Sequence, residues 1–187
     1  MTESDKNVKT ALSRFGLPCK LSDRDTIAAE LKEQIRLEDD EIGDQFLMRL
    51  LCAQLFSIGL VEDSILIWRA KSCNFDTCLG IDVQFLCGAG LLQTKEYLYR
   101  DGSDLALEAL NYIAECESDF LKFNIESVIC YACEYYRIAS QLYDEGSKQS
   151  SLLNYTGHNR SPTSPRSRGS SLTKYSEYAQ ITHPTLI

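Results

Sequence analysis

The chain has 187 residues and a mass of 21.1 kDa, which suits one domain of ordinary size with an additional segment. Hydrophobic residues make up 44% and charged residues 25% of it, the average of globular proteins, so a wholly disordered or fibrous chain is excluded. No apolar run approaches the roughly 20 residues that a membrane span needs, and Met1 to Lys9 lacks the hydrophobic stretch of a secretion signal. We therefore expect a cytoplasmic protein, or a nuclear one, with a packed core.

The charge is divided unevenly along the chain. Residues 1–145 hold 14 Lys and Arg against 26 Asp and Glu, whereas residues 146–187 hold 5 against 1. An acidic body repels phosphates, which argues against nucleic acid and anionic membrane as partners. We expect the partners to be other proteins, with basic peptides on the acidic body.

Eight cysteines would indicate a disulfide framework only in a short, secreted, loop-rich chain. Here most of them stand among aliphatic residues at helical spacing, where a reduced thiol behaves as a small hydrophobe. The prediction is that they fill the core. They are Cys19, Cys52, Cys73, Cys78, Cys87, Cys116, Cys130 and Cys133.

Residues 1–21 are predicted to be irregular, because they are largely polar and contain a Gly-Leu-Pro break at 16–18. Ser22 and Asp25 resemble a capping box for the first helix, with Asp in place of the usual Glu. An apolar stripe follows at every fourth position, and the acidic run 38–41 with Gly43 ends it. The stripe consists of Ile27, Leu31 and Ile35.

The next two helices are predicted to form a tight hairpin. Asp44 can cap a segment, 46–58, that is apolar on nearly all sides and therefore belongs at the centre. Gly59 is a natural left-handed terminator, and the helical pattern restarts at once. Its apolar positions are Val61, Ile65 and Trp68.

Four further helical segments complete the predicted body: 76–87, 91–99, 103–116 with Ser103 as its cap, and 125–143 closed by Gly146. No sustained alternation of period two, the pattern of a strand, is present. The predicted fold class is all-α, with six or seven helices over residues 22–145 packed as antiparallel hairpins. Residues 146–187 are predicted to be a disordered basic tail rich in Ser and Pro.

The hairpin at 48–68 resembles one tetratricopeptide repeat. The positions that match the family's spacing are Met48, Leu51, Cys52, Leu55, Gly59, Ser64 and Trp68. Lys71 stands where the family has Ala and Asp76 where it has Pro, and no second repeat is visible. The resemblance implies a right-handed stack of helical hairpins that holds other proteins.

The sequence offers little for catalysis. The only histidines, His158 and His183, lie in the predicted tail, so no Cys-His dyad or histidine-bound metal is expected in the body. Asp82 is the carboxylate predicted to be partly buried, as a helix cap or a turn partner rather than as an acid or base. We therefore predict no enzyme activity and no cofactor. An enzyme that uses carboxylates alone would need a deep pocket at Asp82.

Cys130 and Cys133 carry the alternative interpretation, a thiol-based zinc or redox protein. Both fall in the middle of a predicted helix, where no helix N-terminus lowers a thiol pKa. A zinc ion would need two more thiolates, from Cys87, Cys116 or others. The prediction for metal ligands is therefore none.

Short motifs in the tail indicate regulation and binding. Ser161 and Ser164 each precede Pro, the pattern of proline-directed phosphorylation, and two phosphates would cancel the positive charge of the tail. Tyr178 with Ile181 resembles a motif that phosphotyrosine-reading domains or sorting adaptors engage. Thr185 and Ile187 resemble the C-terminal ligand of a PDZ domain.

The leading hypothesis is a non-enzymatic protein-protein interaction module, a scaffold or adaptor, with a phospho-regulated tail. Since the body and the tail carry opposite charge, we expect the tail to dock on the body and phosphorylation to release it.

Overall fold

The computed structural model describes residues 2–38 and 42–156. This part of the chain is helical and contains no strand, which confirms the all-α prediction. It has eight α-helices rather than six or seven: α1 (Glu3–Phe15), α2 (Arg24–Glu38), α3 (Gln45–Ile58), α4 (Asp63–Lys71), α5 (Phe75–Gly80), α6 (Leu91–Asp101), α7 (Asp104–Glu115) and α8 (Ile125–Thr156). Three short 3₁₀ helices lie at Leu21–Asp23, Val83–Cys87 and Glu117–Phe120. Over the described residues, none of the helices has the length and apolar character needed to cross a membrane.

The prediction that residues 1–21 are irregular is wrong, because α1 occupies most of them. Thr2 and Asp5 form a complete capping box, with the Thr2 hydroxyl accepting from the Asp5 amide and the Asp5 carboxylate from the Thr2 amide. Val8, Ala11 and Phe15 form a buried stripe at helical spacing. The predicted break at 16–18 is confirmed, because the helix ends where Gly16 adopts a positive φ.

The apolar stripe of α2 is confirmed, but its predicted cap is wrong. Ile27 and Leu31 are fully buried, and Ile35 packs against the core. Ser22 does not cap the helix, because it lies inside the 3₁₀ helix that leads into α2. The helix instead starts at Arg24, whose guanidinium turns away to Asp63.

Helix α3 lies at the centre, as its composition predicts. It packs against α1, α2, α4 and α5. Most of its apolar side chains are buried, whereas Phe46 in its first turn is exposed. Asp44 caps it by accepting from the Leu47 amide at 3.1 Å. The same carboxylate accepts from Ser4 and Asn7 and so ties α1 to the start of α3.

The predicted hairpin of α3 and α4 is confirmed, with Gly59 in the left-handed conformation between them. The single helix predicted over 76–87 is wrong. Helix α5 ends at Gly80, Ile81 is extended, and the 3₁₀ helix follows from Val83. A glycine followed by a β-branched residue favours this break.

Helices α6 and α7 form a second hairpin, as predicted, around a left-handed Gly102. The Ser103 hydroxyl caps α7 by accepting from the Ala106 amide. The 3₁₀ helix Val83–Cys87 packs against both α4 and α6. It therefore joins the two hairpins.

The predicted end of the last helix, Tyr143 with Gly146 as terminator, is wrong because α8 continues to Thr156. One glycine costs a helix only about 1 kcal/mol relative to alanine, and the next proline is Pro162. Residues 146–156 are thus helical rather than disordered. By its internal contacts the chain divides into the units Met1–Ser150 and Ser151–Ile187.

Candidate functional site

The structure places Asp82 at the start of the 3₁₀ helix Val83–Cys87, where it is half-buried. Its carboxylate accepts from the Gln84 amide at 2.9 Å. The carboxylate is therefore a helix cap, as predicted. Asp82 does not line either of two cavities that lie beside α1.

Cys130 and Cys133 lie inside α8, beyond its first turn, and differ in surroundings. Cys130 is exposed, whereas the Cys133 thiol is half-buried and donates to the Leu17 carbonyl at 3.2 Å. Burial raises the pKa of Cys133, which disfavours the thiolate that metal binding and redox chemistry need. Within residues 2–38 and 42–156, no three His, Cys, Asp or Glu side chains converge as metal ligands.

The predicted tail motifs cannot be placed. Ser161, Ser164, Tyr178, Ile181, Thr185 and Ile187 lie outside the described residues. Both histidines lie there as well.

The arrangement that sequence reasoning missed is a buried lysine. Lys71 at the end of α4 is 3% exposed. Its ammonium donates to the main-chain carbonyls of Cys78 and of Ile81, the latter at 2.7 Å. It also lies 5.3 Å from the centroid of the Tyr112 ring, a cation–π distance.

Lys71 therefore caps the C-terminus of α5. Cys78 is near the end of that helix and Ile81 is its C-cap residue, and carbonyls at a helix C-terminus favour a cation. Burial lowers the pKa of Lys71, because a low-dielectric interior penalises the ammonium. The Thr77 hydroxyl of α5 donates in turn to the main-chain carbonyl of Lys71. Hydrogen bonds in both directions therefore join the end of α4 to α5.

Two thiols complete the surroundings of the lysine. Tyr112 on α7 lies near Cys78 on α5 and near Cys116, and burial together with these groups raises the pKa of Tyr112 to about 12. Burial also raises the pKa of Cys116, which favours its neutral thiol near the lysine. The cluster joins α4, α5 and α7.

The contacts of Lys71 limit the chemistry open to it. A lysine with a lowered pKa can serve as a nucleophile when substrate reaches it. The cavities of about 390 and 200 Å³ are lined by other residues, the larger between α1 and α8 and the smaller between α1 and its neighbours. With its protons directed at two carbonyls and a ring, Lys71 positions α5.

The prediction that cysteines fill the core holds in full for two of the eight. Cys52 and Cys87 are buried, five are partly buried and Cys130 is exposed. Burial raises the pKa of Cys52 and raises that of Cys87 to about 12. Both remain protonated at neutral pH and act as small apolar side chains.

Cys87 makes stability depend on alkaline pH. Its folded-state pKa lies above the ordinary value of 9.0, so above pH 9 the unfolded chain loses a proton that the folded chain keeps. Stability is therefore lost as the pH rises, by about 1.4 kcal/mol per pH unit from this thiol. Urea unfolding from pH 8 to 10.5 should show the stability of Cys87→Ala falling less steeply than that of the native chain. Parallel curves for the two proteins would contradict the assignment.

Helix α5 presents two large apolar side chains to solvent. Phe75 and Leu79 are 75% and 72% exposed, and their spacing of four residues puts them on one side of the helix. Asn74 and Thr77 form a capping box at the N-terminus of α5, and Lys71 donates to the carbonyl of the C-cap residue Ile81. Both ends of the helix are therefore fixed by side-chain hydrogen bonds. The two side chains are thus held on a short, fixed support.

No known family matches this chain. Comparisons with models of protein families, with curated proteins and with solved structures all found no match. The resemblance of 48–68 to a tetratricopeptide repeat accordingly stands on the hairpin alone. The exposed side chains of α5 and the buried Lys71 cluster are therefore the features that bear on function.

Proposed function

We propose that this chain is a non-enzymatic protein-protein interaction module, a scaffold or adaptor that acts through the surface of its helical body. The observation that carries the proposal is the pair Phe75 and Leu79, exposed on a helix that is fixed at both ends. Apolar side chains of this size that stand together on a surface are typical of binding sites for other proteins.

The buried ionisable cluster supports the same proposal. Lys71 on α4 contacts the Cys78 and Ile81 carbonyls at the end of α5 and the Tyr112 ring on α7, and so joins the three helices. These contacts hold α5, and with it the exposed pair of side chains, in one position. A solvated loop would leave such a pair free to move. Pre-ordered surfaces bind with a smaller loss of conformational entropy.

The compartment and the tail enter as parts of this proposal. The eight cysteines are thiols rather than disulfides, and thiols persist in the reducing cytoplasm or nucleus. Phosphorylation of Ser161 and Ser164 would remove the positive charge of the tail. Tyr178 with Ile181, and Thr185 with Ile187, would supply further contacts for a phosphotyrosine-reading domain and a PDZ domain.

Competed affinity capture tests the proposal. The full chain, immobilised by its N-terminus, is exposed to cell lysate with and without an excess of the free full chain, and retained proteins are measured by quantitative mass spectrometry. We expect a small set of proteins whose retention the free chain abolishes. Retention that the free chain does not reduce, or no retained protein beyond those on a heat-unfolded sample, would refute an interaction function.

A further inference from the structure

The surface around α5 is acidic as well as apolar. From Ser72 to Thr94 there is no Lys or Arg, and from residue 72 to residue 121 there are nine Asp and Glu against two Lys and Arg. Arg69 is the exposed cation that precedes α5 most closely in the chain. The apolar pair therefore has few positive charges near it in the sequence.

Contacts in the structure bring carboxylates to both ends of α5. At its start, the Asn74 amide donates to the Glu38 carboxylate at the end of α2, and Asp76 is exposed on α5 itself. The sequence continues from Glu38 with three more carboxylates, at 39–41.

At the other end, α5 leads to Asp82 and to the last turn of α7. The Lys71 ammonium lies 5.3 Å from the centroid of the Tyr112 ring of α7 and donates to the Cys78 and Ile81 carbonyls, which places the last turn of α7 near the C-terminus of α5. The Gln84 side chain donates to the Asp119 carbonyl, so the 3₁₀ helix that carries Glu117 and Asp119 is held next to the 3₁₀ helix that Asp82 caps.

We propose that Phe75 and Leu79, with the carboxylates Glu38, Asp76, Asp82 and Asp119 around them, form a docking surface, the α5 surface, for a basic amphipathic helix of a partner protein. The inference rests on the proposed function and specifies its partner. Apolar side chains at helical spacing on the partner would cover Phe75 and Leu79, and Lys or Arg beside them would face the carboxylates. Charge complementarity decides the occupant, because an acidic or neutral helix would bring no counter-charge to this rim.

Binding of designed peptides to the full chain tests the partner chemistry. The probe is a fluorescent 18-residue helix of Lys and Leu with leucine at i, i+3, i+4 and i+7, and its counterpart replaces every Lys with Glu. Fluorescence anisotropy should show binding of the Lys/Leu peptide at least about tenfold tighter than that of the Glu/Leu peptide, weakening as salt is raised. Equal affinity for the two peptides would overturn the proposal.

Matched variants locate the binding. Phe75→Ser with Leu79→Ser should weaken the Lys/Leu peptide at least about tenfold, since truncating central anchors removes most of the binding energy. Leu92→Ser with Tyr99→Ser removes comparably exposed side chains on α6 and should leave the affinity within about twofold. Circular dichroism confirms that both variants are folded. Equal effects of the two variants would overturn the assignment to α5.

The two proposals fail in different ways. If competed capture retains specific proteins but the α5 variant retains them equally, the docking surface is wrong and the interaction function stands. If nothing is retained by competed capture, the interaction function itself fails. A peptide of residues 157–187, which carries four Lys and Arg against one Glu, is run beside the Lys/Leu helix. Tighter binding of that peptide at Phe75 and Leu79 would make the occupant a segment of this chain and overturn the choice of a partner helix.

Discussion

Replacing Lys71 with Met is expected to lower the free energy of unfolding by about 3 kcal/mol. The substitution keeps the length of the side chain and removes the ammonium, which leaves the carbonyls of Cys78 and Ile81 without their donor. A buried polar group that loses its partner costs about 1–3 kcal/mol, and here two carbonyls lose theirs. Urea unfolding of the native chain and the variant at pH 7 measures the difference.

Arg69→Met is the matched control for this substitution. Arg69 stands on the same helix two residues earlier and is exposed, so its replacement should change the stability by less than about 0.5 kcal/mol. Hydrogen exchange adds a local measurement, since the amides of α5 should exchange faster in Lys71→Met than in the control. A loss of stability no larger than that of Arg69→Met would show that Lys71 does not hold α5.

Local chemistry made several elements predictable. Asp44, Asp82 and Ser103 each accept from a main-chain amide at the start of their helix, as the sequence indicates for them. Gly59 ends its helix in the left-handed conformation. These signals depend on residues two to four positions apart, so they can be recognised in the sequence.

The missed elements show where local signals compete. The Thr2–Asp5 capping box and the stripe through Val8 and Phe15 were present in the sequence, but polar composition and the break at 16–18 favoured an irregular segment. At the other end, Gly146 predicts the end of the last helix, but a glycine without a following proline only weakens a helix. In both places a helix-breaking residue stands beside an otherwise continuous helical pattern, and the pattern decides the structure.

The Lys71 cluster could not have been predicted in the same way. The acceptors of the lysine are main-chain carbonyls seven and ten residues later, and every residue has such a carbonyl. Only the departure of Lys71 from the tetratricopeptide pattern, where a small residue is usual, marked the position. The structure supplies the reason for that departure, because a lysine there reaches the end of α5 and an alanine would not.

The α5 surface was also outside the reach of sequence patterns. The helical spacing of Phe75 and Leu79 is that of an ordinary core stripe. They are exposed because Thr77 is the buried side chain of this helix and Lys71 fixes the helix end. Which side of a short amphipathic helix faces the core is thus decided by tertiary contacts.

The ion pair between Arg24 and Asp63 should be the second large contributor to stability. Asp63 at the start of α4 is 1% exposed, and the Arg24 guanidinium donates to its carboxylate from Nε at 3.0 Å and from a terminal nitrogen at 2.6 Å. These hydrogen bonds raise the pKa of Arg24, so the cation is permanent. Replacing Arg24 with Met leaves a buried carboxylate without its partner and should cost about 3 kcal/mol.

A double variant tests whether the loss of stability comes from the unpaired carboxylate of Asp63. Arg24→Met with Asp63→Leu removes both charges, and we expect it to be less destabilised than Arg24→Met alone, since no buried charge remains. Arg137→Met breaks a pair with Glu134 in which both side chains are more than half exposed, and it should cost less than about 1 kcal/mol. Urea unfolding in 0.1 M and 1 M NaCl distinguishes the two, because salt should shrink the exposed pair's contribution and leave that of Arg24 nearly unchanged. Equal losses from Arg24→Met and Arg137→Met at both salt concentrations would mean that the buried carboxylate does not depend on its arginine.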